Sequence, residues 1–114
     1  MLPKKRRLTA RQVREVISLG RGIKGSSVSL KYLARPGFFG AAVVAPKALA
    51  RRATDRNRIR RTVYRTLSSL PLKERKALEG VLVVFFIRSV PSPLLPTLKS
   101  DIADILIKLP HTHV

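Results

Sequence analysis

The sequence has no cysteine and no tryptophan, and its aromatic residues are two tyrosines and four phenylalanines among 114 residues. Without cysteine, the chain forms no disulfide, carries no thiolate nucleophile and offers no sulfur ligand to zinc. This composition fits a reducing compartment, and we expect the protein in the cytoplasm. With so few aromatic side chains, the surface can stack only a small number of nucleobases.

Acidic residues are scarce as well: six stand against 24 lysines and arginines, so the formal net charge at pH 7 is +18. Self-repulsion of that size opposes compaction, and a polyanionic partner is the best reason for a chain to tolerate it. Composition alone therefore favours a nucleic-acid-binding protein.

Long apolar runs are also missing. No run approaches the roughly 20 residues needed to cross a bilayer, and no lipidation motif occurs, so we expect no membrane partner. A chain of this length forms one domain that buries roughly two-thirds of its unfolded surface. We expect a single RNA-binding domain over residues 1–114, with a basic arm at 1–7 and a tail at 111–114. The arm has the composition of a transit peptide, but helix-start chemistry follows it.

The residues for catalysis are few. Asp101 and Asp104 have the i, i+3 spacing that lets two carboxylates share a metal ion. Ordinary solvation of a helix is favoured over this reading, because no base or third ligand stands nearby. His111 and His113 lie in the tail, and no nucleophile elbow, glycine-rich phosphate loop or zinc-ligand spacing occurs. We predict no catalytic residue and no metal site in the chain itself.

Periodicity predicts an α+β fold in the order helix, strand, strand, helix, strand, helix. Thr9 and Gln12 form a capping box at the first helix, which ends at Gly20, and the sequence predicts a loop over 20–27. The predicted elements are a helix at 9–19, strands at 28–34 and 38–45, a helix within 47–70, a further helical turn or two within 72–79, an apolar strand at 81–87, a proline-rich connection at 89–96 and a helix at 98–109. The strands on either side of Pro36-Gly37 are predicted to form an antiparallel hairpin.

The stretch from Lys47 to Leu70 has two contrasting faces. One side of the predicted helix is apolar, made of Ile59, Val63, Thr66, Leu67 and Leu70. The other aligns Asn57, Arg61 and Tyr64 and is flanked by further arginines, whose planar forks suit phosphate oxygens. A solvated charged face is the common alternative, but such faces interleave acids with bases, and Asp55 is the only acid here. The pattern favours RNA or DNA binding.

The series from Pro46 to Arg61 resembles the signature of the protein subunit of bacterial ribonuclease P. Both have a basic loop of small residues, then Arg56-Asn57, then Arg60-Arg61 one helical turn later. Ala48, Asp55 and Tyr64 depart from the family pattern. The resemblance implies a small mixed sheet of three to four strands with helices packed on it. It also implies the fold of the second domain of ribosomal protein S5, including a left-handed βαβ crossover, whereas general physics favours the right-handed form.

The resemblance also implies a function. An RNA subunit with bound Mg²⁺ removes the 5′ leader of precursor tRNA endonucleolytically, and the protein binds that RNA and the leader in a one-protein, one-RNA complex. The implied RNA-binding residues are Lys47, Arg51, Arg52, Arg56, Asn57, Arg60, Arg61 and Tyr64, with Arg58 and Arg65 as lateral contacts at best. The implied leader-binding residues are Val13, Ser29, Lys31 and Leu33.

Alternatives stay open at this point. Val13 and Leu33 equally suit core packing, and Val13 replaces a family aromatic, so we expect weak leader binding. A ribosomal or other structural-RNA-binding protein explains the charge equally well. A metal-dependent nuclease that uses Asp101 and Asp104 is the alternative enzyme.

Overall fold

The computed structural model describes residues 7–70, 78–90 and 93–109, and this part of the chain forms a four-stranded mixed sheet with three helices. The elements in chain order are α1 (Ala10–Leu19), β1 (Arg21–Ile23), β2 (Val28–Ala34), β3 (Phe39–Val44), α2 (Ala53–Ser68), β4 (Val81–Ile87) and α3 (Leu94–Ile107). The strands lie in the order β1-β2-β4-β3, and the predicted α+β class is confirmed. Residues 1–6 of the basic arm, most of the helical segment predicted at 72–79 and the tail with its two histidines lie outside the described residues.

Helix α1 begins with the predicted capping box. The backbone N–H of Gln12 donates to Thr9 Oγ1 (3.2 Å), and the N–H of Thr9 donates to Gln12 Oε1 (2.9 Å). The helix ends at Gly20, where the chain passes very close to β2. A Cβ on Gly20 would lie 2.4 Å from Val16 O and 2.7 Å from Tyr32 O, so only glycine fits this junction.

Strands β2 and β3 do not pair with each other, so the predicted hairpin is wrong. The turn at Pro36-Gly37 does form, since the N–H of Phe38 donates to Arg35 O (3.1 Å) and Gly37 has a φ of 85°. However, β4 lies between the two strands, antiparallel to β2 and parallel to β3, so that Val81 is paired on both sides. This arrangement gives the uncharged strand β4 the central position, where both of its faces are covered.

A short strand, β1, forms within the segment 20–27 that the sequence predicted as a loop. It pairs antiparallel with the outer edge of β2, with Arg21 opposite Tyr32 and Ile23 opposite Leu30. Because β1 has three residues, this edge of the sheet offers little backbone to a further strand.

Alternate side chains of β4 enter two different cores. Val83 and Phe85 pack with residues of α2 and α3, whereas Leu82 and Val84 pack with residues of α1. The protein therefore has three layers, with α1 on one face of the sheet and α2 and α3 on the other. Both predicted helical stripes are buried as expected, namely Ile59, Val63, Thr66, Leu67 and Leu70 in the α2 segment and Leu98, Ile102, Ile105, Leu106 and Leu109 in the α3 segment.

The parallel strands β3 and β4 are joined through α2, which is the predicted βαβ crossover; its left-handed sense stays a prediction. Helix α2 begins at Ala53, and residues 47–49 form a separate turn before it. Helix α3 begins at Leu94, earlier than predicted, with Pro96 in its first turn. Proline is tolerated there because the first N–H groups of a helix have no intrahelical acceptor. No helix in the described part of the chain is long and apolar enough to cross a bilayer.

Candidate nucleic-acid interface

The exposed side of α2 carries a shallow groove with a volume of about 400 Å³, which we call the Asn57 groove. The line predicted from helical spacing, Asn57, Arg61 and Tyr64, therefore does share one surface. The groove is lined by Arg7, Thr54, Asn57, Arg60, Arg61 and Tyr64.

Asn57 is held by the neighbouring arginine. The Nη1 group of Arg60 donates to Asn57 Oδ1 at 3.2 Å, one helical turn away. Asparagine is mildly unfavourable inside a helix, and this contact fixes its amide in place. The remaining guanidinium N–H groups of Arg60 stay available to an acceptor outside the protein.

Arg7 also lines this groove, although no pattern in the sequence indicated it. Its guanidinium carbon lies 5.4 Å from the centroid of the Tyr64 ring, within the range of a cation–π contact. The backbone at Arg7 is held beside β3 by a parallel bridge to Ala41. In addition, the N–H of Leu8 donates to Ala41 O (3.0 Å). Leu8 in turn covers Gly40, where a Cβ would lie 2.4 Å from Leu8 Cδ2. No local sequence signal links Arg7 to a helix more than 40 residues later; the contact depends on how the chain crosses the edge of β3.

The Arg7 side chain also has an unused donor. Its Nε atom is buried and has no hydrogen-bond partner among the described residues. A buried polar atom without a partner costs free energy, which an RNA oxygen reaching this position would recover.

Burial raises the pKa of the Tyr64 hydroxyl above its ordinary value. The positive charges of Arg7 and Arg60 and the backbone of Val43 act in the opposite direction and are outweighed. Tyr64 is therefore neutral near pH 7 and presents a polar hydroxyl and a ring face to the groove.

The basic loop before α2 supplies further charge. Lys47, Arg51 and Arg52 are exposed. Arg56, by contrast, folds back onto the loop, where its Nη1 group donates to Ala50 O (3.0 Å) and Arg51 O (2.9 Å). Arg52 is the N-cap of α2 and makes no side-chain capping bond, so Arg56 is the side chain that ties this loop to the helix. Part of its hydrogen-bonding capacity is therefore used inside the protein.

No acid among the residues that the structure describes forms an ion pair with the arginines of α2. Within the described ranges, the single ion pair joins Arg35, which directly follows β2, to Glu15 of α1. Asp55 in the first turn of α2 is favourably placed for the helix dipole but forms no ion pair there. The positive field of this face is therefore available to a polyanion.

The residues predicted to bind the leader lie on the α1 side of the sheet, opposite to the side on which α2 and α3 pack. Ser29, Lys31 and Leu33 alternate along β2 on the side covered by α1, and Val13 and Leu33 pack against the α1 core. Lys31 Nζ donates to Ile17 O (3.0 Å) at the end of α1. The predicted positions therefore share one surface, in which Val13 and Leu33 contribute packing and Lys31 already has a backbone partner.

Phe86 adds an aromatic side chain to this face, which the sequence did not predict. It stands between Ser29 of β2 and Val44 of β3, and all three side chains are partly exposed. The other residues of β4 are buried. Every residue of β4 is apolar, so its sequence does not indicate which side chain a helix leaves partly uncovered. Only the packing of α1 on the sheet shows that this residue is Phe86.

Asp101 and Asp104, whose spacing left a shared metal ion as the alternative to ordinary solvation, have different surroundings. Asp101 Oδ2 accepts hydrogen bonds from the backbone N–H of Ser27 (3.2 Å) and from the Ser27 hydroxyl, whereas Asp104 is exposed. Across residues 7–70, 78–90 and 93–109, no cluster of three or more histidine or acidic side chains is placed to hold a metal ion. Asp101 thus anchors the start of β2 to α3.

The model of the ribonuclease P family matches residues 2–108 of the sequence. The structure is similar to the RNase P protein from Thermotoga maritima, with a TM-score of 0.71 and 15% identity over 91% of this chain and 97% of that one. It is also similar to the RNase P protein from Staphylococcus aureus, with a TM-score of 0.67 and 12% identity over 94% of this chain and 98% of that one. At these identities the structural likeness shows a shared fold. No individually curated protein sequence matched the chain.

Proposed function

The chain belongs to the family of ribonuclease P protein subunits, and from this premise we propose that it binds the catalytic RNA and the 5′ leader of precursor tRNA. Family membership places it in an endoribonuclease complex that processes tRNA. Its own role is accessory: it binds and positions RNA, and the chemistry belongs to the RNA subunit.

The Asn57 groove is the site that binds the catalytic RNA. One observation carries this assignment: arginines converge on a concave surface, and no acid among the described residues is paired to them. Beside them lies a buried donor of Arg7 that has no partner within the same residues. Guanidinium groups bind phosphate oxygens bidentately, and Asn57 and Tyr64 add polar contacts to sugars or base edges. Lys47, Arg51 and Arg52 extend the same positive surface along the loop.

The opposite face binds the single-stranded leader. Here Phe86 offers a ring on which one base can stack, and Ser29 and Lys31 stand one strand away from it. A basic groove with a stacking aromatic is the usual way to bind a single strand without sequence preference. The ring of Phe86 supplies the aromatic contact that Val13 lacks.

Mg²⁺ is assigned to the RNA subunit. The described residues of this chain offer no cluster of three or more histidine or acidic side chains for the ion. The role proposed for the protein is therefore limited to binding and positioning RNA. When bound by RNA, Mg²⁺ stabilises the attacking and leaving oxygens of the hydrolysis.

Reconstitution tests the proposed function directly. RNA-free protein is added to a bacterial ribonuclease P RNA at a low Mg²⁺ concentration at which that RNA alone is inactive, and 5′ leader removal from precursor tRNA is measured. We expect processing to be restored by the protein, and no cleavage by the protein without the RNA. Failure to restore processing, or preferential binding to ribosomal RNA, would favour a structural-RNA-binding protein instead.

The salt dependence of binding tests the Asn57 groove. Changing Arg60 and Arg61 to Ala should weaken binding to the catalytic RNA and reduce the log–log salt slope by about one unit for each lost phosphate contact. Arg11→Ala with Arg14→Ala is the matched control, because these arginines are exposed on α1, on the other face of the sheet. An equal change in slope for the two double variants would contradict the assignment.

A further inference from the structure

A second basic groove lies between α2 and the beginning of α3, and we call it the α2–α3 groove. It has a volume of about 340 Å³ and shares only Arg61 with the Asn57 groove. Its floor includes the side chains of Leu94 and Leu95, the latter 46% exposed. The groove is lined by Arg58, Arg61, Thr62, Arg65, Leu94 and Leu95.

The arginines of this groove have no side-chain partner in the part of the chain that the structure describes. Arg58, Arg61 and Arg65 make no ion pair or side-chain hydrogen bond with the described residues. On the same helix, Arg56 is bonded to loop carbonyls and Arg60 to Asn57. Arg58 and Arg65, which were predicted as lateral contacts at best, thus keep all their donors unused among the described residues, as Arg61 does.

The two grooves follow different lines along α2. At 3.6 residues per turn, Arg58 and Arg65 lie roughly 100° around the helix axis from the line of Asn57 and Tyr64. Both lines run parallel to the helix axis. Arg58 and Arg65 are separated by roughly 10 Å along that axis, so the two long side chains can reach different phosphates of one strand. A single strand lying along one line does not also follow the other.

The apolar floor sets this groove apart from a simple charged face. Leu94 and Leu95 begin α3 directly beside the arginine line, so a ligand here meets guanidinium groups on one wall and aliphatic surface on the other. A nucleic acid strand matches both walls, since its phosphates are anionic and the faces of its bases are largely apolar.

We propose that the α2–α3 groove binds a second stretch of RNA phosphodiester backbone, so that α2 lies between two RNA segments. This inference rests on the proposed function, because it assigns another contact to the same RNA-binding helix. The segment comes either from the catalytic RNA or from the body of the bound precursor tRNA, and both present the same phosphate chemistry.

A charge-removal experiment tests the groove without touching the Asn57 line. The double variant Arg58→Gln with Arg65→Gln is compared with Arg11→Gln with Arg14→Gln, which removes the same charge from α1. The log–log salt slope should fall by roughly 1.4 to 1.8 units in the first variant, since each phosphate contact contributes about 0.7 to 0.9. A slope equal to that of the α1 control would overturn the proposal.

The measurement is made with catalytic RNA alone and with catalytic RNA carrying leaderless tRNA. A loss of slope in both arms assigns the segment to the catalytic RNA. A loss only in the second arm assigns it to the tRNA body.

Photocrosslinking locates the two segments. The chain has no cysteine, so Thr62→Cys in the α2–α3 groove and Thr54→Cys in the Asn57 groove each give one attachment point for a photoreactive group. We expect the two positions to crosslink to different nucleotides. Ser18→Cys, exposed on α1, serves as the background control. Crosslinks to the same nucleotides, or none from position 62 above background, would overturn the inference.

The proposal and the proposed function fail in different ways. If the wild-type protein does not restore processing, the function falls whatever the variants do. If processing is restored and the Arg58 and Arg65 variant keeps the slope of its control, the function stands and the second segment is excluded. If processing fails but the variant still loses slope on other structured RNA, the groove remains an RNA site.

Discussion

Replacing Asp101 by Ala removes the contact that joins the start of β2 to α3. The same variant tests whether Asp101 stabilises the fold or takes part in metal-dependent cleavage. Asp101 Oδ2 accepts from the Ser27 N–H at 3.2 Å and from the Ser27 hydroxyl. Ser27 is 5% exposed, and its own carbonyl accepts from Arg88 N (2.7 Å) and Ser89 N (3.2 Å) after β4. Ser27 therefore links three elements, and Asp101 is its only side-chain partner in the described part of the chain.

The expected cost follows from these contacts. Each hydrogen bond to a charged group contributes about 1.5–3 kcal/mol, and the donors left on buried Ser27 lose their acceptor. Asp101 is only partly buried, so water replaces some of the loss. We expect Asp101→Ala to lower the free energy of unfolding by about 2–4 kcal/mol, which corresponds to a fall in Tm of roughly 10 °C.

The assay combines stability with function. Urea unfolding is measured for wild type, Asp101→Ala and Asp104→Ala, the last being an exposed acid one turn away on the same helix. Asp104→Ala should stay within about 0.5 kcal/mol of wild type. At a temperature where all three are folded, reconstituted processing should be the same.

Two results would refute this reasoning. If Asp101→Ala is as stable as Asp104→Ala, the Ser27 contact contributes nothing to the fold. If Asp101→Ala stays folded and binds the RNA but abolishes cleavage, the acid acts in the reaction, as in the metal-dependent nuclease alternative.

Two further predictions concern α2. Arg56→Ala should lower the free energy of unfolding by about 1–2 kcal/mol, because the carbonyls of the basic loop lose their donor, whereas Arg58→Ala should change it by less than about 0.5 kcal/mol; equal values from urea unfolding would contradict the structural role of Arg56. Burial raises the pKa of Tyr64, so its phenolate absorbance should appear at a higher pH than that of an ordinary tyrosine. The absorbance of Tyr64 is measured as the difference between wild type and Tyr64→Phe. The contribution of this buried neutral hydroxyl to stability is fully present below the ordinary tyrosine pKa of about 10, and it is lost as the pH rises through the pKa of the folded state. If Tyr64 ionises at the pH of an ordinary tyrosine or below it, the charges of Arg7 and Arg60 lower its pKa by more than burial raises it.

Local patterns predicted the elements whose causes are local. The capping box of Thr9 and Gln12 and the buried stripe of α2 depend on residues three or four positions apart, and both formed as predicted. The alternation of β2 likewise placed Leu30 and Lys31 on opposite faces of the sheet. The convergence of Asn57, Arg61 and Tyr64 follows from the pitch of a helix alone.

Pairings between distant segments were not predicted. A turn signal at Pro36-Gly37 suggested a hairpin, but β4 inserts between β2 and β3 because a central strand must be apolar on both faces. The contact of Ser27 with Asp101 spans 74 residues, and nothing in either local sequence indicates it.

The sequence by itself therefore determined the α+β class, the charge, the arginine-bearing helix and its family, because composition and short spacings carry this information. The tertiary structure alone decided which arginines are free and which are bonded to the protein, the place of Arg7 beside Tyr64, and the exposure of Phe86. These properties depend on which elements come to lie against each other, and chain crossings and helix packing bring together residues that no spacing relates.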